Sequence, residues 1–181
     1  RLHQEPAGAA GSAGDDAIEW AESIGNGFYQ LDEWQRFVIR GMLSEDAGAR
    51  LCALVSLLIV PRQNGKGTVL EVVELYALFV LDLPLILHTA HLGETSADHM
   101  ARLLAAIASD PELDRQCKPV FAKGYEAIER RGVGEAIPDV DLSDVRRDGR
   151  VAGRHVLRSR PVGDVAAVGA DARLPGTVGL Q

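Results

Sequence analysis

The chain has 181 residues, enough for one domain of ordinary size or for a piece of something larger. Its 46% apolar and 25% charged residues are those of a soluble globular chain rather than a disordered one. A net charge of -7 excludes a protein that coats nucleic acid through bulk positive charge, while leaving room for a local basic groove.

Two cysteines, Cys52 and Cys117, are too few for a disulfide framework and point to a reducing compartment. No signal-peptide pattern opens the chain, and charge or Pro interrupts its apolar runs before they reach the length of a membrane span. A cytoplasmic protein is expected. The start on Arg1 rather than Met suggests a fragment or a processed product.

Residues 1–16 are rich in Ala and Gly without a periodic apolar pattern, so residues 1–30 are expected to be a flexible lead-in. From Leu31 the pattern changes. Leu31, Trp34, Phe37, Val38 and Met42 recur at helical spacing, Asp32 is placed as N-cap, and Gly41 or Gly48 sits where the helix would end. Residues 51–60, LCALVSLLIV, form a nearly continuous apolar run before Pro61, the pattern of a strand buried on both faces of a parallel sheet. A polar turn, PRQNGKGT, follows. It opens into a helix that is apolar nearly all round and stops before Pro84. LILHTA is expected as a second buried strand. Thr95 and Asp98 make an acidic capping box for a helix over residues 96–108, which Asp110 and Pro111 close. GYEAIERR reads as a short strand, and beyond Pro138 no element can be placed. Strand, turn, helix, strand, helix in this order predicts an α/β fold with a parallel sheet.

A turn between a buried strand and a helix is where such folds bind phosphate. Unpaired N–H groups point outward there, the helix dipole favours an anion, and glycine lets the backbone come close. Gly65 and Lys66 fall at that junction, with Arg62 and Thr68 beside them. The spelling departs from the GxxxxGK[ST] pattern, which would want Gly at Val60 and a hydroxyl at Gly67. At the level of residues alone, nucleotide phosphate binding and an ordinary turn with a surface Lys both stand. His88, His91 and His99 carry no tight ligand pairs, so a structural role is expected for them before zinc. Glu71 and Glu74 read as a solvated or partner-facing stripe.

Three blocks, LDEWQ, IVPRQNGKG and ILHTAH, resemble the N-terminal ATPase domain of the large terminase subunit of tailed bacteriophages, over about residues 31–129. The resemblance implies a P-loop NTPase-type parallel sheet flanked by helices, here incomplete, and a motor ATPase that pumps double-stranded viral DNA into a capsid. The domains it implies are a partial ATPase domain over residues 31–137 and a divergent, irregular tail over 138–181. Arg62, Gln63, Asn64, Gly65, Lys66, Gly67 and Thr68 would be its deviant Walker A loop. In that loop Lys66 would lie on the β- and γ-phosphates of ATP, with Arg62 as a second cationic contact. Thr68 is the one candidate hydroxyl for Mg2+. Gln35 would match the adenine-recognising glutamine, although it also stands at the capping-box position after Asp32. Portal, small terminase subunit and oligomerisation are partners of the family's full-length protein, in the cytoplasm of a bacterial host.

Two parts of the family pattern are not found. The Walker B strand ending in Asp-Glu, which supplies the Mg2+ carboxylate and the base, has no clear counterpart. VAAVGADA, ending on Asp171 and Ala172, and the acidic run of Asp139, Asp141 and Asp144 are imitations only. The pattern departs near Arg130, as a frameshifted reading would, and the nuclease is absent. No catalytic residue is therefore assigned, and negligible hydrolysis is expected. The alternatives are a non-catalytic remnant or assembly module, and an unrelated ATPase or kinase with a degenerate loop.

Overall fold

The computed structural model describes residue 4 and residues 6–122, 125–131 and 153–160. Helices and strands are interspersed along the chain. A short strand β1 (Gly11–Ser12) leads into helix α1 (Gly14–Ser23) and a 3-10 turn (Ile24–Asn26). Helix α2 (Glu33–Met42) and strand β2 (Ser44–Glu45) follow, then α3 (Lys66–Phe79), β3 (Leu85–Ala90), α4 (Gly93–Ser109), α5 (Pro111–Gln116), β4 (Cys117–Ala122), β5 (Tyr125–Arg131) and β6 (Gly153–Arg160).

Helix α1 lies within the segment expected to be a lead-in. Ala17, Ile18 and Ala21 share one face and are buried, and the small alanines let the helix come close to its neighbours. Ile24 and Tyr29 continue that buried face into the core. Helix α2 starts at the expected place: Gln35 Oε1 accepts from the Asp32 backbone N–H at 2.8 Å, one arm of a capping box.

Helix α3 is the centre of the molecule. Val69, Val72, Leu75 and Leu78 are fully buried, with Tyr76 and Phe79 beside them. Each such aliphatic side chain removed from water stabilises the fold by about 1.5–3 kcal/mol. Trp20 of α1 meets Tyr76 edge-on at 5.9 Å, fastening the N-terminal helix onto α3. Helix α4 presents Met100, Leu103, Ala106 and Ile107 to the same core. It begins at Gly93, earlier than expected, and no side chain caps it, so the predicted Thr95–Asp98 box is not what starts it. Asp110 ends α4 and caps α5, its carboxylate accepting from the N–H groups of Glu112 and Leu113.

Among the described residues the larger sheet has four strands in the order β3-β6-β5-β4. β3 runs antiparallel to β6, β5 parallel to β6, and β4 antiparallel to β5. The fold is thus mixed helix and strand, and its sheet is mixed rather than parallel. β3 is not buried on both faces. His88 touches both α3 and α4, which therefore cover one face, while Leu87 and Thr89 on the other face are exposed.

The sharpest difference from expectation concerns residues 51–60. The run makes one isolated bridge, Leu51 to Glu45, and otherwise forms no strand. Leu54, Val55, Leu57 and Ile59 are 81–94% exposed. An apolar run fixes only a preference for burial; strand formation needs a paired neighbour, and the described residues supply none. Residues 138–150, the imitation ending at Asp171 and most of the expected tail lie outside the described residues. Within the tail, the backbone of residues 153–160 forms β6.

Candidate functional site

The turn at residues 61–65 projects its side chains outward. Arg62, Gln63, Asn64, Gly65 and Lys66 are exposed, and Gly67 and Thr68 are half-buried. Gln63 and Gly65 both adopt left-handed backbone conformations, with φ of 61° and 72°. Gly65 is the N-cap of α3, and no side chain caps that end. The first-turn N–H groups of a helix have no intrahelical acceptor, and the dipole adds partial positive charge. Two cations, Arg62 and Lys66, stand at the same exposed turn. This end of α3 thus gathers unpaired N–H groups and two cations in one exposed place. Thr68 lies in the first turn of α3 and is half-buried.

Gln35 reaches this turn from α2. Its Nε2 donates to the Gly65 carbonyl at 2.9 Å while its Oε1 holds Asp32, so both ends of the buried amide are engaged. In this structure Gln35 ties the helix of LDEWQ to the glycine turn. A Cβ on Gly65 would lie 2.9 Å from Gln35 Nε2, so the contact needs glycine for space as well as for φ.

Beneath the turn lies a chain of buried polar groups. Glu71 Oε1 accepts from Arg102 Nε at 2.5 Å, and Tyr29 Oη donates to Glu71 Oε2 at 3.4 Å. Arg102 also packs under Gly67, where an added Cβ would meet its guanidinium at 3.1 Å. Burial, and then the neighbouring Glu71 carboxylate, push the Tyr29 phenol well above its ordinary range.

One turn further along α3, Glu74 sits between two histidines. Its Oε1 lies 2.8 Å from His88 Nδ1 and its Oε2 lies 2.8 Å from His99 Nε2. The two rings stack with centroids 4.0 Å apart. Burial raises the Glu74 carboxyl, but the bonds to His88 and His99 outweigh it and hold the group down to about 2. His99 Nδ1 faces Arg102 at 3.4 Å and Glu71 at 4.0 Å, so the two clusters are continuous.

Glu71 and Glu74 are therefore buried, not a solvated stripe. The helix around them is apolar on every side, which leaves no water-facing stripe for a carboxylate to occupy. Two acids inside such a helix were the available signal. The structure unites Gln35, Gly65 and the start of α3, and it leaves His91 and Thr89 exposed at the end of β3. None of the four sheet strands ends in Asp-Glu. Asp139, Asp141, Asp144 and Asp171 lie outside the described residues.

No protein-family model matches the chain, and neither a curated protein nor a solved structure matches it. No helix of the described residues is long and apolar enough to cross a membrane.

Proposed function

We propose that the chain carries the ATP-binding front part of a DNA-packaging ATPase of the tailed-phage terminase large-subunit kind. The observation that supports this most is the bond from Gln35 to the Gly65 carbonyl, which joins the first and second resembling blocks at one place. The third block, β3, meets the helix that follows the turn through His88 and Glu74.

In this reading the N–H groups at the start of α3 cradle the phosphates, Lys66 neutralises the β- and γ-oxygens, and Arg62 adds a second cationic contact. Thr68 contributes a hydroxyl to Mg2+, which when bound spreads the charge of the triphosphate. Gln35 reads adenine only after giving up one of its two present bonds. In the whole protein, residues 51–60 join a parallel, helix-flanked sheet, and double-stranded viral DNA, the portal and the small terminase subunit are the partners. The setting is the cytoplasm of a bacterial host.

A second reading, a binding or assembly module without turnover, is favoured by the exposed run at residues 51–60. A phosphate turn led by an unpaired segment lacks the rigid strand that preorganised transfer demands. Titration with a fluorescent ATP analogue in the presence of Mg2+, together with a phosphate-release assay, tests both readings. Binding lost in Lys66→Ala with negligible release is expected. Clear turnover abolished by Lys66→Ala would overturn the expectation of inactivity, and absence of saturable binding would overturn the nucleotide reading.

A further inference from the structure

We propose that Glu74, His88 and His99 form a binding site for one zinc-class divalent cation. This goes beyond the nucleotide reading and does not depend on it. Three elements, α3, β3 and α4, each contribute one residue, and the three ligand atoms lie within 4.8 Å of one another. A tetrahedral zinc with bonds of about 2.0–2.2 Å spaces its ligands about 3.3 Å apart. The His88 and His99 rings stack at 13°, so one imidazole turns out of the stack to bring both ring nitrogens onto one ion. Two imidazoles and one carboxylate with a fourth position open is a ligand set suited to zinc. It does not suit Mg2+ or Ca2+, which take oxygen.

The surroundings support the same ion. A metal-bound histidine donates its other ring N–H to a carboxylate or carbonyl, which fixes the tautomer. His99 Nδ1 lies 3.4 Å from the Arg102 guanidinium and 4.0 Å from Glu71 Oε1, and Glu71 is itself held by Arg102 and Tyr29. With a cation on Nε2 the His99 proton sits on Nδ1, and Nδ1–H reaches Glu71 once the Arg102 guanidinium, now 3.4 Å away, shifts aside. The side chains of Glu74, His88 and His99 are only 3–11% exposed, so the ion is shielded from solvent and cross-links the central helix to the sheet.

Co2+ serves as the visible probe on the full chain. One equivalent with the intense bands of a four-coordinate site, displaced by one equivalent of Zn2+, is expected. His88→Gln and His99→Gln should each abolish the bands while keeping the wild-type far-ultraviolet circular dichroism. Glu71→Gln, a positioning change, should weaken Zn2+ binding by about 10–100-fold. Should the histidine variants fail to fold, the imidazole NMR signals of His88 and His99 in the wild-type chain decide. Saturable shifts of both at one equivalent of Zn2+ support the site. A pale six-coordinate Co2+ spectrum, bands that survive in folded His88→Gln and His99→Gln, or imidazole signals that Zn2+ leaves unmoved would each overturn it.

Discussion

The Gln35 side chain bridges Asp32 and Gly65, accepting from the first at 2.8 Å and donating to the second at 2.9 Å. One buried amide thereby caps α2 and holds the turn at the start of α3. Gln35→Ala removes both bonds and leaves two backbone groups to find new partners. Equilibrium urea unfolding should show a loss of about 1–3 kcal/mol. A change under half a kilocalorie would mean that the turn is not anchored there.

Glycine substitutions should differ in sign along the same path. Gly65 combines a φ of 72° with the 2.9 Å approach of Gln35, so Gly65→Ala should cost about 1–2 kcal/mol. Gly41, inside α2, has nothing within 4 Å of an added Cβ. Gly41→Ala should therefore stabilise by about 0.5–1 kcal/mol. Thermal melts of the two variants read the contrast directly.

Much of this region was legible in advance because its signals are local. The Asp32 and Gln35 pair, the glycine before Lys66 and the apolar helix behind it lie within a few residues of the elements they start. LILHTA and GYEAIERR were recognisable as strands for the same reason. The apolar run at residues 51–60 misleads because burial depends on a partner strand that no local pattern encodes. Strand β4, CKPVFA, hides behind a Lys and a Pro, and β6 behind its arginines. The Glu74, His88 and His99 cluster joins residues 14 and 25 positions apart, and only the packing of α3 against β3 and α4 brings them together.

Arg102 and Glu71 form a half-buried pair in which the carboxylate is the buried partner. Arg102→Ala leaves that carboxylate facing Tyr29 without its cation, and should cost about 1–3 kcal/mol. Adding Glu71→Gln should recover part of the loss. A double-mutant cycle with additive effects would show that the two residues are not coupled.

Tyr29 makes stability fall at alkaline pH. Its phenol titrates above the ordinary 10.0 in the folded chain, so below pH 10 both states keep the proton and the phenol adds no pH dependence. Above pH 10 the unfolded chain alone releases it, and stability declines by about 1.4 kcal/mol at one pH unit beyond. Urea midpoints for wild type and Tyr29→Phe should diverge above pH 10, with the variant losing less. Parallel curves would place the phenol in contact with water.

The exposed run should govern solubility rather than stability. Leu57 and Ile59 are each 83% exposed, so the double change Leu57→Lys and Ile59→Lys removes an apolar patch without opening a cavity. Light scattering should show less association, with unfolding free energy within about 0.5 kcal/mol of wild type. A large loss of stability would place the run in a buried strand.

The strand order also sets when the molecule can close. Among the described residues β3 finds its neighbour only in β6, with Leu85 opposite Arg158, and β5 meets β6 from the other side. The last of the four strands to leave the ribosome is thus a central one, and until it arrives β3 waits apart from the β4–β5 hairpin. Such long-range closure slows folding, because loop entropy is lost before the pairing that offsets it is gained. Synthesis halted before residue 153 would leave two unjoined halves with their inner edges bare, the state in which this chain is most open to pairing with another copy of itself.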